Sequence, residues 1–153
     1  ITFEPIGRIT TEVGFRLELE KPYGDGLIAL EGFSHVEVLW HAHLCGNAGD
    51  SALVISKPYV SGPDAIGVFA TRSPYRPNAI CSSVARVLHV DREHTIVHLA
   101  WIDAQENTPI LDIKPYHGSE CRARDLEVPS WCAHWPQWIE DSELFAWEGE
   151  FTF

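Results

Sequence analysis

Two arginines and an asparagine stand close together in the stretch at 67–83, GVFATRSPYRPNAICSS, with Pro74 and Pro77 between Arg72, Arg76 and Asn78. Each proline fixes its own φ and biases the residue before it toward extended backbone. A loop stiffened twice in four residues holds its side chains in set directions. Arginine in a set direction suits a planar carboxylate or a phosphate. The plainer alternative is a well-made turn with solvated arginines. Two later segments carry matching chemistry. One is Trp101-Ile102-Asp103-Ala104-Gln105-Glu106-Asn107-Thr108-Pro109, and the other is Leu111-Asp112-Ile113-Lys114-Pro115-Tyr116. Both put charged groups at a strand end beside a proline-stiffened turn. Strand ends hold side chains more rigidly than free loops, as a small-ligand site requires.

Other chemistries find less support. His41, His43 and Cys45 alternate and would share one strand face, and Cys132 and His134 could join them from the tail. Zinc sites announce themselves by spacings such as C-x-x-C or H-E-x-x-H, and neither occurs, so no metal is expected. There is no G-x-S-x-G elbow, no G-x-G-x-x-G and no Walker motif. The four cysteines are scattered without paired spacing and read as reduced thiols.

The elements that must position these residues read as short strands. Residues 2–11 suggest a first strand that Pro5 confines to an edge or a late start. Residues 12–25 are charged and irregular. Residues 33–44 alternate, with Val36, Val38, Trp40, Ala42 and Leu44 on one face and His35, Glu37, Leu39, His41 and His43 on the other. That second face is either solvated or lines a cavity. Residues 46–51 read as a loop, and 52–60 as a strand interrupted by Pro58. Val68 and Phe69 read as strand residues. Residues 80–90 and 95–102 form a hairpin turning at 91–94, and 109–116 form a further strand that ends at Pro115. In the tail, Ser130 reads as the N-cap of a short helix bearing a stripe of Trp131, Trp135 and Trp138. Residues 144–153 suggest an added edge strand. The class is all-β: a small single-domain barrel or sandwich over residues 1–153 with one or two short helices.

The chain has 153 residues, 45% of them hydrophobic and 22% charged, which suffices for one real core. No apolar run reaches the ~18 residues of a membrane span and no signal-peptide pattern is visible. The protein is therefore expected in the cytoplasm. The net charge of −11 is unevenly spread: residues 72–124 hold seven basic and six acidic groups, while residues 125–153 hold seven acidic and no basic ones. Generic nucleic-acid affinity needs a basic surface. Positive charge confined beside the arginine loop suits a small anionic ligand or a local RNA contact instead.

The segments at 67–78 and 108–116, with Glu4-Pro5-Ile6-Gly7 and Glu31-Gly32-Phe33-Ser34-His35, resemble the TsaA-like (YaeB, tRNA methyltransferase O) family from about residue 4 to 117. The resemblance implies a small β-barrel, a homodimer and S-adenosylmethionine as cofactor. It also implies methyl transfer to the exocyclic amine of threonylcarbamoyl-adenosine beside the anticodon of tRNA. Position by position, it puts cofactor contacts on His43, Leu44, Arg72, Ser82 and Ala100, Trp101, Ile102 and Asp103. With the residue reading, it leaves Asp112 and Tyr116 to orient or deprotonate the amine. Arg76, Asn78 and Lys114 are left to hold the substrate. An acidic, Trp-rich tail from about 120 to 153 lies beyond the resemblance. The chain also departs from the family pattern. Pro77-Asn78-Ala79-Ile80-Cys81 stands where Pro-Asn-Pro-Ile-Gly is usual, Leu44 stands for a glutamine, and an early Pro-Arg-Gln is missing near Phe15-Arg16. A methyltransferase of a small molecule, or a module that binds the cofactor without catalysis, are the alternatives.

Overall fold

The computed structural model describes residues 2–45 and 52–153. The loop expected at 46–51 lies outside the described residues. Six strands form a closed barrel: β1 Gly7–Thr10, β2 Arg16–Leu19, β3 His35–His41, β6 Ile80–Asp91, β7 Ile96–Leu99 and β8 Thr108–Pro115. Their order around the ring is β1-β2-β7-β6-β3-β8, and every pairing, including the closing one of β1 with β8, is antiparallel. A separate hairpin joins β4 Val54–Ser56 to β5 Ala65–Gly67. Two single-turn helices, α1 Gly118–Cys121 and α2 Ile139–Ser142, lie in the tail. No described helix is long and apolar enough to cross a membrane.

Period-two alternation fills the barrel. Ile9, Leu17, Val36, Val38, Val97 and Ile110 are all wholly buried and come from five strands. In β3 the split foreseen between Val36, Val38 and Trp40 inside and His35, Glu37, Leu39 and His41 outside is the observed one. The 80–90/95–102 hairpin also forms, with its turn tied by Asp91, which accepts from the backbone N–H of His94 at 3.0 Å. Both protonation states of that turn are biased toward the ion pair. Hydrogen bonds from the His94 backbone and ring hold Asp91 below its usual range, and Asp91 raises His94.

Several expectations are corrected. The stretch read as irregular, 12–25, contains β2. This strand is only four residues long, and its outward positions are the charged Arg16 and Glu18, so its inward Leu17 and Leu19 do not stand out. Arg8 on β1 donates to Glu18 at 2.9 Å across the pair. The strand expected over 52–60 is confined to β4, and Val68 and Phe69 form a 3-10 turn over Val68–Ala70. The tryptophan stripe is not helical. Only a 3-10 turn forms at Ser130–Cys132, Pro129 occupies the cap position, and Pro136 blocks continuation because Trp135 before it is steered out of the α region. Trp131 and Trp135 still meet edge-on at 5.4 Å, while Trp138 lies apart, 58% exposed, under Arg122. The last ten residues add a single bridge, Phe151 to Tyr59, and no strand.

Candidate active site

The antiparallel ring gathers one set of strand ends at one mouth. The C-terminal ends of β1, β3 and β7 lie there with the N-terminal ends of β2, β6 and β8. That places His43, the arginine loop, Cys81, residues 100–103 and Thr108 around one opening.

The loop is tied to itself at almost every step. Thr71 donates through Oγ1 to the Val68 carbonyl (2.8 Å) and accepts there from the Ser73 N–H (3.2 Å). The Ser73 hydroxyl accepts from the Tyr75 N–H at 3.2 Å. Arg76 closes the loop from inside, donating through Nη1 to the carbonyls of Thr71 (3.3 Å) and Ser73 (3.5 Å). Its end is fixed to β3, since Ala42 donates its N–H to the Ala79 carbonyl at 2.9 Å. Ala79 is buried with φ of 46°, a left-handed conformation that costs a non-glycine residue about 1–2 kcal/mol. The N–H of Ala79 donates to the Arg76 carbonyl, closing a turn that leaves Asn78 exposed.

Arg72 points the other way. Its Nη2 lies 2.7 Å from the Ser82 carbonyl and 3.1 Å from the Ser82 hydroxyl, on the edge of β6 that β7 leaves uncovered. Residues 100–103 run along this same edge, starting where Ala100 donates to the Arg86 carbonyl at 2.9 Å. Ile102 turns into the core at 2% exposure, so Trp101 and Asp103 on either side of it face outward. Trp101 is 58% exposed, and Phe15 props it edge-on at 6.4 Å. Between these groups sits Cys81. Burial pushes its thiol upward, Arg76 and Arg72 pull it down, and Cys45 and Asp103 push with burial. Both arginines, Cys45 and Asp103 are thus electrostatic neighbours of one half-buried sulfur. His43 lies 3.5 Å from the buried Thr108 hydroxyl, and Leu44 beside it is 66% exposed. The mouth gathers opposite charges; the 390 Å³ hollow lined by Glu31, Phe33, Ser34 and His89 is elsewhere.

Asp112, Lys114 and Tyr116 lie on the outer wall instead of the mouth. Asp112 is opposite Leu39, which is opposite Ser82, so Asp112 and Ser82 share the outer face two strands, about 10 Å, apart. The two carboxylate oxygens of Asp112 already accept, one from Lys114 Nζ at 2.6 Å and one from the Ile113 N–H at 2.9 Å. That bond to Asp112 raises the Lys114 ammonium above its ordinary range. Tyr116 sits four residues on, about 13 Å along the strand, with its ring edge-on to His35 at 6.4 Å. Among the described residues, no group of three or more His, Cys, Asp or Glu is placed to hold a metal. Cys132 and His134 belong to the tail, where His134 bonds Glu150 at 2.9 Å. Sequence reasoning missed Phe15 as a prop for Trp101 and Cys81 as the centre of the charged group. Phe15 was hidden by the missed strand β2, and a lone cysteine carries no spacing signal.

The family model for the tRNA-methyltransferase O N-terminal domain matches residues 5–120. The chain belongs to that family. The mouse tRNA (adenine(37)-N6)-methyltransferase is 44% identical over 102 residues, 67% of this chain and 23% of the relative. A Pyrococcus abyssi protein, "Probable S-adenosyl-L-methionine-binding protein", is 38% identical over 100 residues, 65% of this chain and 50% of the relative. The chain thus spans half or less of the length of these relatives. The crystal structure of TrmO from Pseudomonas aeruginosa superposes with a TM-score of 0.63 at 30% identity, over 83% of this chain and 60% of that one.

Proposed function

We propose that this chain is an S-adenosylmethionine-dependent methyltransferase acting on adenosine in tRNA, working as a homodimer. The substrate proposed is the exocyclic amine of threonylcarbamoyl-adenosine. The observation that carries this reading is the grip of Arg72 on Ser82 beside the outward-facing Trp101 and Asp103. A fixed cation, a carboxylate and a flat apolar ring at one mouth fit a cofactor that has a carboxylate, ribose hydroxyls and an adenine. The names of the relatives point to the same cofactor and base.

When bound, S-adenosylmethionine supplies a methyl already activated by its sulfonium charge, so the protein has to align and shield more than to activate. Arg72 would meet the cofactor carboxylate and Asp103 a ribose hydroxyl. Trp101 and Leu44 would cover its apolar face and exclude water. The backbone of His43, Ser82, Ala100 and Ile102 would read the remaining edges. On the outer wall, Asp112 would accept the N–H of the attacking amine, and Tyr116, about 13 Å further along the chain, would help orient the substrate at a more distant point. Lys114, Arg76 and Asn78 would hold the anionic parts of the substrate. The engaged oxygens of Asp112 favour one second reading, a module that binds the cofactor without catalysis.

Calorimetric titration with S-adenosylmethionine, wild type beside Arg72→Ala, tests the core of the proposal. Saturable binding that the variant loses supports it, and no binding by the wild type overturns it. A tritiated-methyl assay on total tRNA then separates the enzyme from the binding module.

A further inference from the structure

The family match ends at residue 120, yet the chain beyond it is not an idle appendage. Tyr59, between β4 and β5, is only 9% exposed because the tail surrounds it. Trp131 stacks on its ring at 5.0 Å and 20°, Trp135 meets it edge-on at 5.2 Å, and Phe151 closes the third side at 5.7 Å. The backbones are stitched as well. Val60 donates to the Glu150 carbonyl at 2.9 Å, Thr152 donates its N–H to the Pro58 carbonyl at 3.2 Å, and the Thr152 hydroxyl donates to the Lys57 carbonyl at 2.6 Å. The Glu150 carboxylate holds the tail in place, accepting from Trp135 Nε1 and from His134 Nε2, each at 2.9 Å.

The hairpin so held leads straight into the arginine loop. The carbonyl of Leu53, just before β4, accepts from the Val68 N–H at 2.9 Å. The Val68 carbonyl then accepts from both the N–H (3.1 Å) and the hydroxyl (2.8 Å) of Thr71. Arg72 is the next residue. Its long side chain is exposed, so it can present its guanidinium in one direction only if the backbone beneath it is fixed.

We propose that the C-terminal tail, acting through Tyr59, is a brace that positions Arg72 for the cofactor. Tyr59, Trp131, Trp135 and Glu150 are positioning residues in this account. The inference rests on the reading of Arg72 as a cofactor contact.

The test uses the full chain with Tyr59→Ala, Tyr59→Phe and the milder Thr152→Val. In the ligand-free protein, hydrogen exchange at the amides of Thr71, Ser73 and Arg76 should speed up about tenfold in Tyr59→Ala and revert in Tyr59→Phe, with β3 and β6 unchanged. The Kd and KM for S-adenosylmethionine should rise about tenfold in Tyr59→Ala at unaltered kcat, and Tyr59→Phe should restore them. Thr152→Val should move both readouts in the same direction by a smaller factor, and carries the test if Tyr59→Ala does not fold. Unchanged loop exchange in the variants overturns the brace. So does unchanged cofactor affinity in a variant whose loop exchanges faster. Absence of binding by the wild type, with loop exchange responding as stated, overturns the functional reading and leaves the mechanical coupling standing.

Discussion

Arg72 folds back from the proline loop onto the strand that follows it and closes on Ser82, its Nη2 2.7 Å from the carbonyl and 3.1 Å from the hydroxyl. The two residues lie ten positions apart, and the loop between them turns through two prolines and the left-handed Ala79. A guanidinium already holding a strand edge through Nη2 has other donors that meet no acceptor among the described residues and can turn to an anion. Replacing it by lysine keeps the charge but loses the planar fork. Arg72→Lys should therefore bind S-adenosylmethionine more weakly than wild type, and Arg72→Ala more weakly still, by roughly 10- to 100-fold for a lost charged hydrogen bond of ~1.5–3 kcal/mol. Calorimetry on the three proteins checks the order.

Trp101 offers a different kind of contact. Its exposed ring contributes little to the core, so Trp101→Ala should leave the melting temperature nearly unchanged. If a purine stacks there, affinity should drop by roughly 1–3 kcal/mol. Titration with the cofactor, and separately with an anticodon stem-loop RNA, shows which purine is lost; equal affinities for both would remove Trp101 from the site.

Asp112 and Lys114 separate structure from chemistry. Their side chains are 45% and 57% exposed, so the pair is worth at most about 1 kcal/mol of stability. Asp112→Ala should cost no more than that in a denaturant melt. A fall in kcat beyond tenfold with cofactor binding intact would mark Asp112 as catalytic. The same comparison for Tyr116→Phe decides that residue independently.

Ala79 marks a departure with a physical consequence. Proline, usual at this place in the family pattern, cannot adopt φ of 46° and lacks the N–H that Ala79 donates to Arg76. Ala79→Pro should destabilise the chain by more than about 1 kcal/mol. A thermal melt showing no loss would mean that the loop has a second conformation open to it.

Acid should loosen the tail through Glu150. Hydrogen bonds from Trp135 and then His134 hold its carboxyl below the ordinary 4.5. A depressed acid stabilises the folded form above its unfolded pKa, and that contribution disappears as pH falls through the folded one. Near-ultraviolet circular dichroism of the tryptophans should therefore fade below about pH 4.5, and Glu150→Gln should flatten that dependence. An identical acid transition in the variant would assign it to another group.

Much of this was present in the chain itself. Alternation over 33–44 declared β3, because a strand with one buried face must write period two into its residues, while apolar runs bounded by turn residues at 80–90 and 109–116 declared β6 and β8. The prolines around Arg72, Arg76 and Asn78 declared a stiff loop for a similarly local reason. What the linear order could not show was closure. Whether Asp103 meets Arg72 near Cys81, and whether Asp112 stays on the outer wall, depends on the strand order β1-β2-β7-β6-β3-β8 and its registers. The four-residue β2 is also a strand only because its neighbours β1 and β7 pair with it. The tail shows the limit most clearly. A tryptophan spacing of four and three suggested a helix, but Pro136 and the ring of Tyr59, some seventy residues earlier, decided otherwise. Local backbone preference is legible in sequence; which distant surface a side chain will be buried against is settled only when the chain has folded.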